Sequence, residues 1–250
     1  FSGEHGPLAG VVGMLPPHLQ TKGTPEGLAG MYVDIGACCS AQVQEMGILV
    51  GTPAVYAARF QVMQNCVAAK ALDDRAGCAL LAQLAGALAG QELPCDLTLA
   101  FVVQEENVLT GARPVADDHQ PDWVLGVDAT LTYDTPELTS AYADLSLGLG
   151  PAIKIMDHIR GRGQGLIAHP ILRRHIEDTA RQAGIGLQRE VAVGISTAVA
   201  PLPFSSAGIP TAAVSFPLRY SHSPAEVASL DDLDQTLHLL YRIVMDPWLG

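Results

Sequence analysis

The sequence predicts an α/β domain preceded by a small β-rich module. Two observations carry this reading. From Val67 onward, continuous apolar runs that read as buried strands alternate with helical patterns. Residues 1–65 are instead rich in Gly, Pro and short apolar runs, with weak helical periodicity. The boundary is therefore placed between residues 65 and 66.

In the module, Gly10–Met14 and Met31–Ile35 read as strands and Ser40–Met46 as one short helix. Beyond it, Gly77–Leu88 is an Ala/Leu run that is apolar on all sides, the pattern of a buried helix. Leu97–Val103 and Trp123–Val127 are continuous apolar strands. Pro170–Ala183 is an amphipathic helix, with Pro170 suited to its first turn and Gly184 to its C-terminal cap. Thr211–Phe216 is a further strand. The last helix buries Leu233, Leu237, Leu240, Tyr241 and Val244, and Ser229 with Asp232 resembles its capping box.

Composition narrows the function. Apolar residues make up 48% and charged residues 16%, too hydrophobic for a disordered acidic chain. The net charge of -12, with lysine only at 22, 70 and 154, argues against nucleic acid and anionic membrane partners. No apolar run is long enough for a transmembrane helix. Five cysteines without a framework spacing point to reduced thiols and a cytoplasmic location. Cys38-Cys39 reads as a buried apolar pair, Asp117-Asp118-His119 as a solvated turn and Gly161–Gly165 as a loop. Ser205-Ser206 lacks the nucleophile-elbow pattern.

Acidic and imidazole groups collect at the ends of expected elements. Asp73 lies just before the Ala/Leu helix, and Glu105 and Glu106 follow the strand ending in Val103. Asp128 ends the strand Val124–Val127, and His222 follows the strand ending at Phe216. In α/β sheets, ligand sites gather outside the carboxyl ends of strands. Carboxylates with imidazole suit zinc, cobalt or manganese. Of two adjacent carboxylates, one can bind metal while the other handles a proton. Each residue taken alone is an ordinary solvated acid or histidine; their joint placement makes the case.

Six segments resemble one known family, the tetrahedral aminopeptidases, also called glutamyl or deblocking aminopeptidases. They are Ala71-Leu72-Asp73-Asp74-Arg75-Ala76-Gly77, Gln104-Glu105-Glu106 with Gly111-Ala112, Val127-Asp128-Ala129-Thr130, Arg219-Tyr220-Ser221-His222-Ser223-Pro224, Gly150-Pro151-Ala152-Ile153-Lys154 and Gly13–Leu19. The resemblance implies a zinc-exopeptidase-like mixed sheet flanked by helices, and a dimerisation role for the β-rich module. It also implies two divalent metal ions per subunit, zinc first and cobalt or manganese next. Asp73 would bridge them, Asp128 would hold one, and Glu106 with His222 the other. Glu105 would be the general base acting on peptide substrates, in a homo-oligomer that is a dodecamer in the family. A cis peptide is expected at Asp73-Asp74.

Two departures qualify the resemblance. The family carries a further His ligand in an upstream His-x-Asp motif, and neither His5 nor His18 lies in such a motif. The chain is thus read as N-terminally incomplete, with a weak or empty ion position beside Asp128 and little activity on its own. Ala198 stands where the family has an acidic residue in Gly-Thr-Asp-Ala. Two rivals accompany the aminopeptidase reading: a non-catalytic peptidase-like assembly protein, and a glycosidase. The latter needs two carboxyl groups flanking a sugar bond rather than ligating metal.

Overall fold

The structure is a computed structural model, and it describes residues 1–13, 15, 31–57, 59–136, 138, 144–159, 165–205 and 208–246. It divides into two compact units, Phe1–Ala57 and Ala58–Gly250. The first holds two antiparallel pairs, β1 (Ser2–Gly3) with β2 (Gly6–Pro7) and β3 (Val11–Gly13) with β4 (Tyr32–Asp34). Helix α1 spans Ser40–Glu45. Cys38 and Cys39 precede it and are exposed, contrary to the expected buried pair, because α1 buries none of its residues. Most of the Gly13–Leu19 signature, His18 included, lies outside the described residues, as do residues 161–164 of the glycine-rich segment.

The second unit is built on an eight-stranded mixed sheet, in the order β10-β8-β11-β12-β6-β5 with β7 on β11 and β9 on β8. The strands are β5 (Gln61–Met63), β6 (Cys66–Ala69), β7 (Val124–Leu131), β8 (Ala152–His158), β9 (Gly165–Ile167), β10 (Gln188–Val193), β11 (Thr211–Arg219) and β12 (Glu226–Ser229). Because β5 pairs with β6, residues 61–63 belong to the large sheet, and the division falls earlier than residue 65. Helices α2 (Leu72–Leu88), α3 (Glu105–Val108), α4 (Ala112–His119), α5 (Pro170–Ala183) and α6 (Leu230–Met245) complete the unit. Asp117-Asp118-His119 thus ends a helix rather than forming a turn.

Strand β11 is the spine. It runs parallel to β7 from Thr211 to Leu218, and eight of its nine residues are buried. Alternation along a strand sends successive side chains to opposite faces. Ala212 and Val214 face α5 and α6, together with Ile153, Leu172, Ile176, Leu239 and Ile243. Ala213 faces the other way, toward Ala112 and Ala116 of α4 and Val199, Ala200 and Leu202. In register with β11, Asp128 lies beside Ser215. The apolar Leu125 and Val127 of β7 instead pack on Leu84, Leu88, Leu240 and Val244.

Helix α5 spans the expected residues, with proline in its first turn and Gly184 left-handed at its C-cap. Ser229 caps α6 by accepting the Asp232 N–H. Helix α2 buries only one stripe, Gly77, Leu80, Leu84 and Leu88, so it is not buried all round as its composition suggested. Small residues tolerate the solvent side without forcing a large apolar patch. Leu97–Val103 forms no strand. Leu97 and Leu99 are half-buried against α2 and α6, while Phe101 and Val103 are exposed. The alternation is that of a strand, but among the described residues no neighbouring strand takes up its backbone groups.

Candidate metal centre

Strand β6 leads into the first acidic segment. The chain leaves it through Ala71, which is left-handed at φ 51°, and enters α2 with Asp73 and Asp74 in non-helical conformation across a cis peptide. Arg75 turns away, its guanidinium donating to the Lys70 and Ala71 carbonyl oxygens. Gly77 donates its N–H to Asp74 Oδ1 at 3.2 Å. A Cβ at Gly77 would sit 2.3 Å from that same oxygen, so glycine is what lets the Asp74 carboxylate fold back onto the helix.

The second acidic segment is the single turn α3, which opens on Glu105 and Glu106 after Gln104 at φ 60°. Gly111 anchors it: a Cβ there would meet the Val103 carbonyl oxygen at 2.0 Å. The third contribution comes from the turn after β11. Tyr220 and His222 are both left-handed, and Ser221 between them donates its hydroxyl to Asp73 Oδ2 at 3.0 Å. Asp128 stands inside β7 rather than at its end, because that strand continues along β11 to Leu131.

These segments converge. His222 Nε2 lies 3.3 Å from Asp73 Oδ2 and 3.2 Å from Glu106 Oε2. One group, Asp73, Glu106 and His222, presents three ligand atoms all within 4.8 Å of one another, and Asp73, Asp74 and Asp128 form a second such group. All four expected ligand positions, Asp73, Glu106, Asp128 and His222, are therefore brought together, and Asp73 is common to both groups. The outer group is open to solvent through His222 and Glu106, whose side chains are 70% and 56% exposed. The inner group is half-buried at Asp73 and Asp74 and buried at Asp128.

The charge is lopsided. Among the described residues no lysine or arginine forms an ion pair with Asp73, Asp74, Glu105, Glu106 or Asp128. Burial, reinforced by Asp73, pushes the Asp74 carboxyl up to about 8. Burial also raises Asp128 well above the usual carboxylate range, with Asp74 and Asp73 adding to it. Glu105 rises to about 7 through burial, Glu106 and Asp73, against an opposing pull from His222. Oxygen and imidazole donors without thiolate could hold zinc, cobalt or manganese, and among the crowded carboxylates His222 is the one described group that opposes their charge from within the cluster.

Two residues were not foreseen. Asp74 was passed over as the neighbour of Asp73, although the doubled acid is visible in the sequence. Glu226 is 2% exposed and accepts the backbone N–H groups of Asp73 at 3.0 Å and His222 at 2.8 Å. Nothing in its sequence context, a strand start after Ser-Pro-Ala, marks it. Ser196-Thr197-Ala198 packs nearby: the buried Asp157 accepts from the Ser196 hydroxyl and from the N–H and hydroxyl of Thr197.

Residues 1–239 match the M42 glutamyl aminopeptidase family. The chain belongs to that family. SgcX of Escherichia coli (strain K12), named as an aminopeptidase, is 39% identical over 246 residues, covering 96% of this chain and 65% of SgcX. The solved aminopeptidase APDkam598 from the archaeon Desulfurococcus kamchatkensis superposes with a TM-score of 0.89 at 34% identity, over 98% of this chain and 67% of that one. The Pyrococcus horikoshii TET1 peptidase, described as assembling into a tetrahedron or a large octahedral shell, superposes with a TM-score of 0.80 at 27% identity, over 97% of this chain and 70% of its own. The chain thus spans about two thirds of the length of the M42 relatives it matches. The mixed sheet with flanking helices is the fold of this family.

Proposed function

We propose that this chain carries the catalytic centre of a metal-dependent aminopeptidase that removes N-terminal residues from peptides. The observation that carries the proposal is the pair of ligand groups sharing Asp73, in a chain of the M42 family. Asp73, common to both groups, would be shared between two divalent ions, zinc first and cobalt or manganese next. Glu106 and His222 would hold the outer ion, and Asp128, with Asp74 beside it, would contribute to the inner position, where the family's further histidine is not among these residues. Bound there, the ions supply Lewis-acid polarisation of the scissile carbonyl and acidify a water.

The protein's own groups do the rest. Glu105 would take a proton from the attacking water and pass it to the leaving amine. Ser221 donates to Asp73 Oδ2 and so holds the rotamer that aims the bridging carboxylate. The exposed side of His222 and Glu106 is where substrate arrives. A cavity of about 400 Å³ beside Ser221, lined by Leu131, Thr132, Thr135, Leu138 and Tyr220, offers room for the leading side chain.

The first unit, Phe1–Ala57, would serve as the dimerisation module of a homo-oligomer, a dodecamer, a reading supported by the dodecamer described for the related PhTET1-12s structure. The free cysteines fit a reducing, cytoplasmic setting. No helix among the described residues is long and apolar enough to cross a membrane. The test is metal analysis of the purified protein together with a panel of aminoacyl substrates. Chelator-sensitive release of N-terminal residues supports the proposal; chelator-insensitive cleavage of a sugar polymer, or assembly without hydrolysis, contradicts it.

A further inference from the structure

Glu226 belongs to neither ligand group, yet it is 2% exposed beside one of them. Among the described residues no lysine or arginine pairs with it. Burying a carboxylate is costly unless hydrogen bonds satisfy it. Its partners are two backbone amides: Oε2 accepts from Asp73 N–H at 3.0 Å and Oε1 from His222 N–H at 2.8 Å. Those amides belong to two candidate ligands of the outer group, whose side chains themselves stand 3.3 Å apart.

Strand β12 explains the placement. Glu226 opens it opposite Ala69 of β6, the strand that leads to Asp73. The next residue, Val227, lies opposite Arg219, the last residue of β11 before the His222 turn. Glu226 therefore sits where two separate chain segments deliver their ligands. Both segments have backbone conformations that regular structure does not enforce: Asp73 is non-helical within α2, and His222 is left-handed.

We propose that Glu226 is a positioning residue, a carboxylate clamp that fixes the Asp73 and His222 backbones in one unit and thereby sets the spacing of the outer ion position. This rests on the reading of that group as an ion site. A carboxylate is the side chain suited to the task. It accepts from two N–H groups at once, one per oxygen. An amide has one acceptor, and its NH₂ would face the second N–H. Outer partners of this kind typically govern metal affinity by about 10–100-fold.

The test is a cobalt(II) titration of the metal-free protein in wild-type, Glu226→Gln and Glu226→Asp forms, followed by visible absorption and chelator competition, with folding checked by circular dichroism. Both variants are expected to bind cobalt about 10–100-fold more weakly at one position, with an altered absorption envelope. Gln lacks the second acceptor and Asp is too short to span both amides. Should Glu226→Gln not fold, Glu226→Asp carries the same comparison. Wild-type affinity and spectrum in the variants overturn the clamp. So does a tight Glu226→Asp beside a weakened Glu226→Gln, because charge alone would then explain the loss. A wild-type protein that takes up no cobalt overturns the ion reading itself, a separate failure.

Discussion

Two clusters of charge are buried along the same sheet, and they are balanced in opposite ways. On β8 and β10, Lys154 and Glu190 are each 1% exposed and 2.7 Å apart. Thr130 of β7 closes the set, donating to Glu190 at 2.6 Å and accepting from Lys154 at 3.1 Å. Two residues before Thr130 on β7 stands Asp128, in a cluster of acids that no lysine or arginine among the described residues pairs with. Burial drives its carboxyl, and that of Asp74, far above the ordinary value. The first cluster is complete within the chain, so its role is architectural. The second leaves its acids without a lysine or arginine partner among the described residues, the balance that the proposed ions would close.

The largest expected effect lies at the proton carrier. Glu105→Gln should retain bound metal and lose about 10²–10⁴-fold in turnover, because an amide cannot accept the water's proton. Steady-state kinetics on metal-replete protein check this; near-normal kcat removes Glu105 from the role.

Next comes the closed cluster. Lys154→Met leaves Glu190 buried without its cation, and breaking one side of a buried pair costs about 3–5 kcal/mol. Denaturant unfolding should show a loss of that order. Unfolding of metal-free Asp128→Asn sharpens the contrast. Burial opposes charge on the Asp128 carboxyl, so a neutral isostere should leave stability within ~1 kcal/mol of wild type or above it. Saturating zinc should then stabilise the wild type more than the variant. A large loss in metal-free Asp128→Asn would put the two clusters in one class.

One side of this contrast, the acidic cluster, was legible in the sequence, as was part of the fold, and the reasons are local; the buried Lys154–Glu190 pair was not. Pro170 and Gly184 bracket α5 because proline fixes φ at a helix start and glycine accepts the left-handed cap. Asp73, Glu106, Asp128 and His222 could be singled out because Asp73 stands just before an expected helix and the other three follow expected strands. Their convergence, however, depends on long-range pairing of β7 with β11 and of β12 with β6. Glu226 escaped for that reason, since its partners lie 153 residues away in one case and four in the other. Leu97–Val103 has the alternation of a strand, but pattern specifies a conformation and not a partner. Asp128 was placed at a strand end because its acidity broke an apolar run, whereas β7 continues with its side chain turned to the acidic face.

The smallest effect tests charge balance at the edge of the site. Arg219, just before the His222 turn, donates twice to Asp134, at 3.0 and 2.6 Å. Burial raises the Asp134 carboxyl, but the hydrogen bonds from Arg219 and the Leu147 N–H outweigh it and hold the group at about 2. That is below its ordinary 3.8, so the stabilisation is present above the unfolded value and disappears as pH falls through the folded one. Arg219→Gln should therefore cost up to ~1 kcal/mol near neutral pH. The gap from wild type should narrow as pH falls below about 4 and close below about 2. Unfolding midpoints across that range check the sign.

Zinc uptake at Asp73 tests the central claim most directly. Equilibrium dialysis of the metal-free protein against zinc should load the wild type, and Asp73→Ala, which removes the one ligand common to both groups, should abolish uptake at both positions while the fold persists by circular dichroism. Zinc bound by folded Asp73→Ala to the same extent and affinity as by wild type would contradict a centre organised around Asp73.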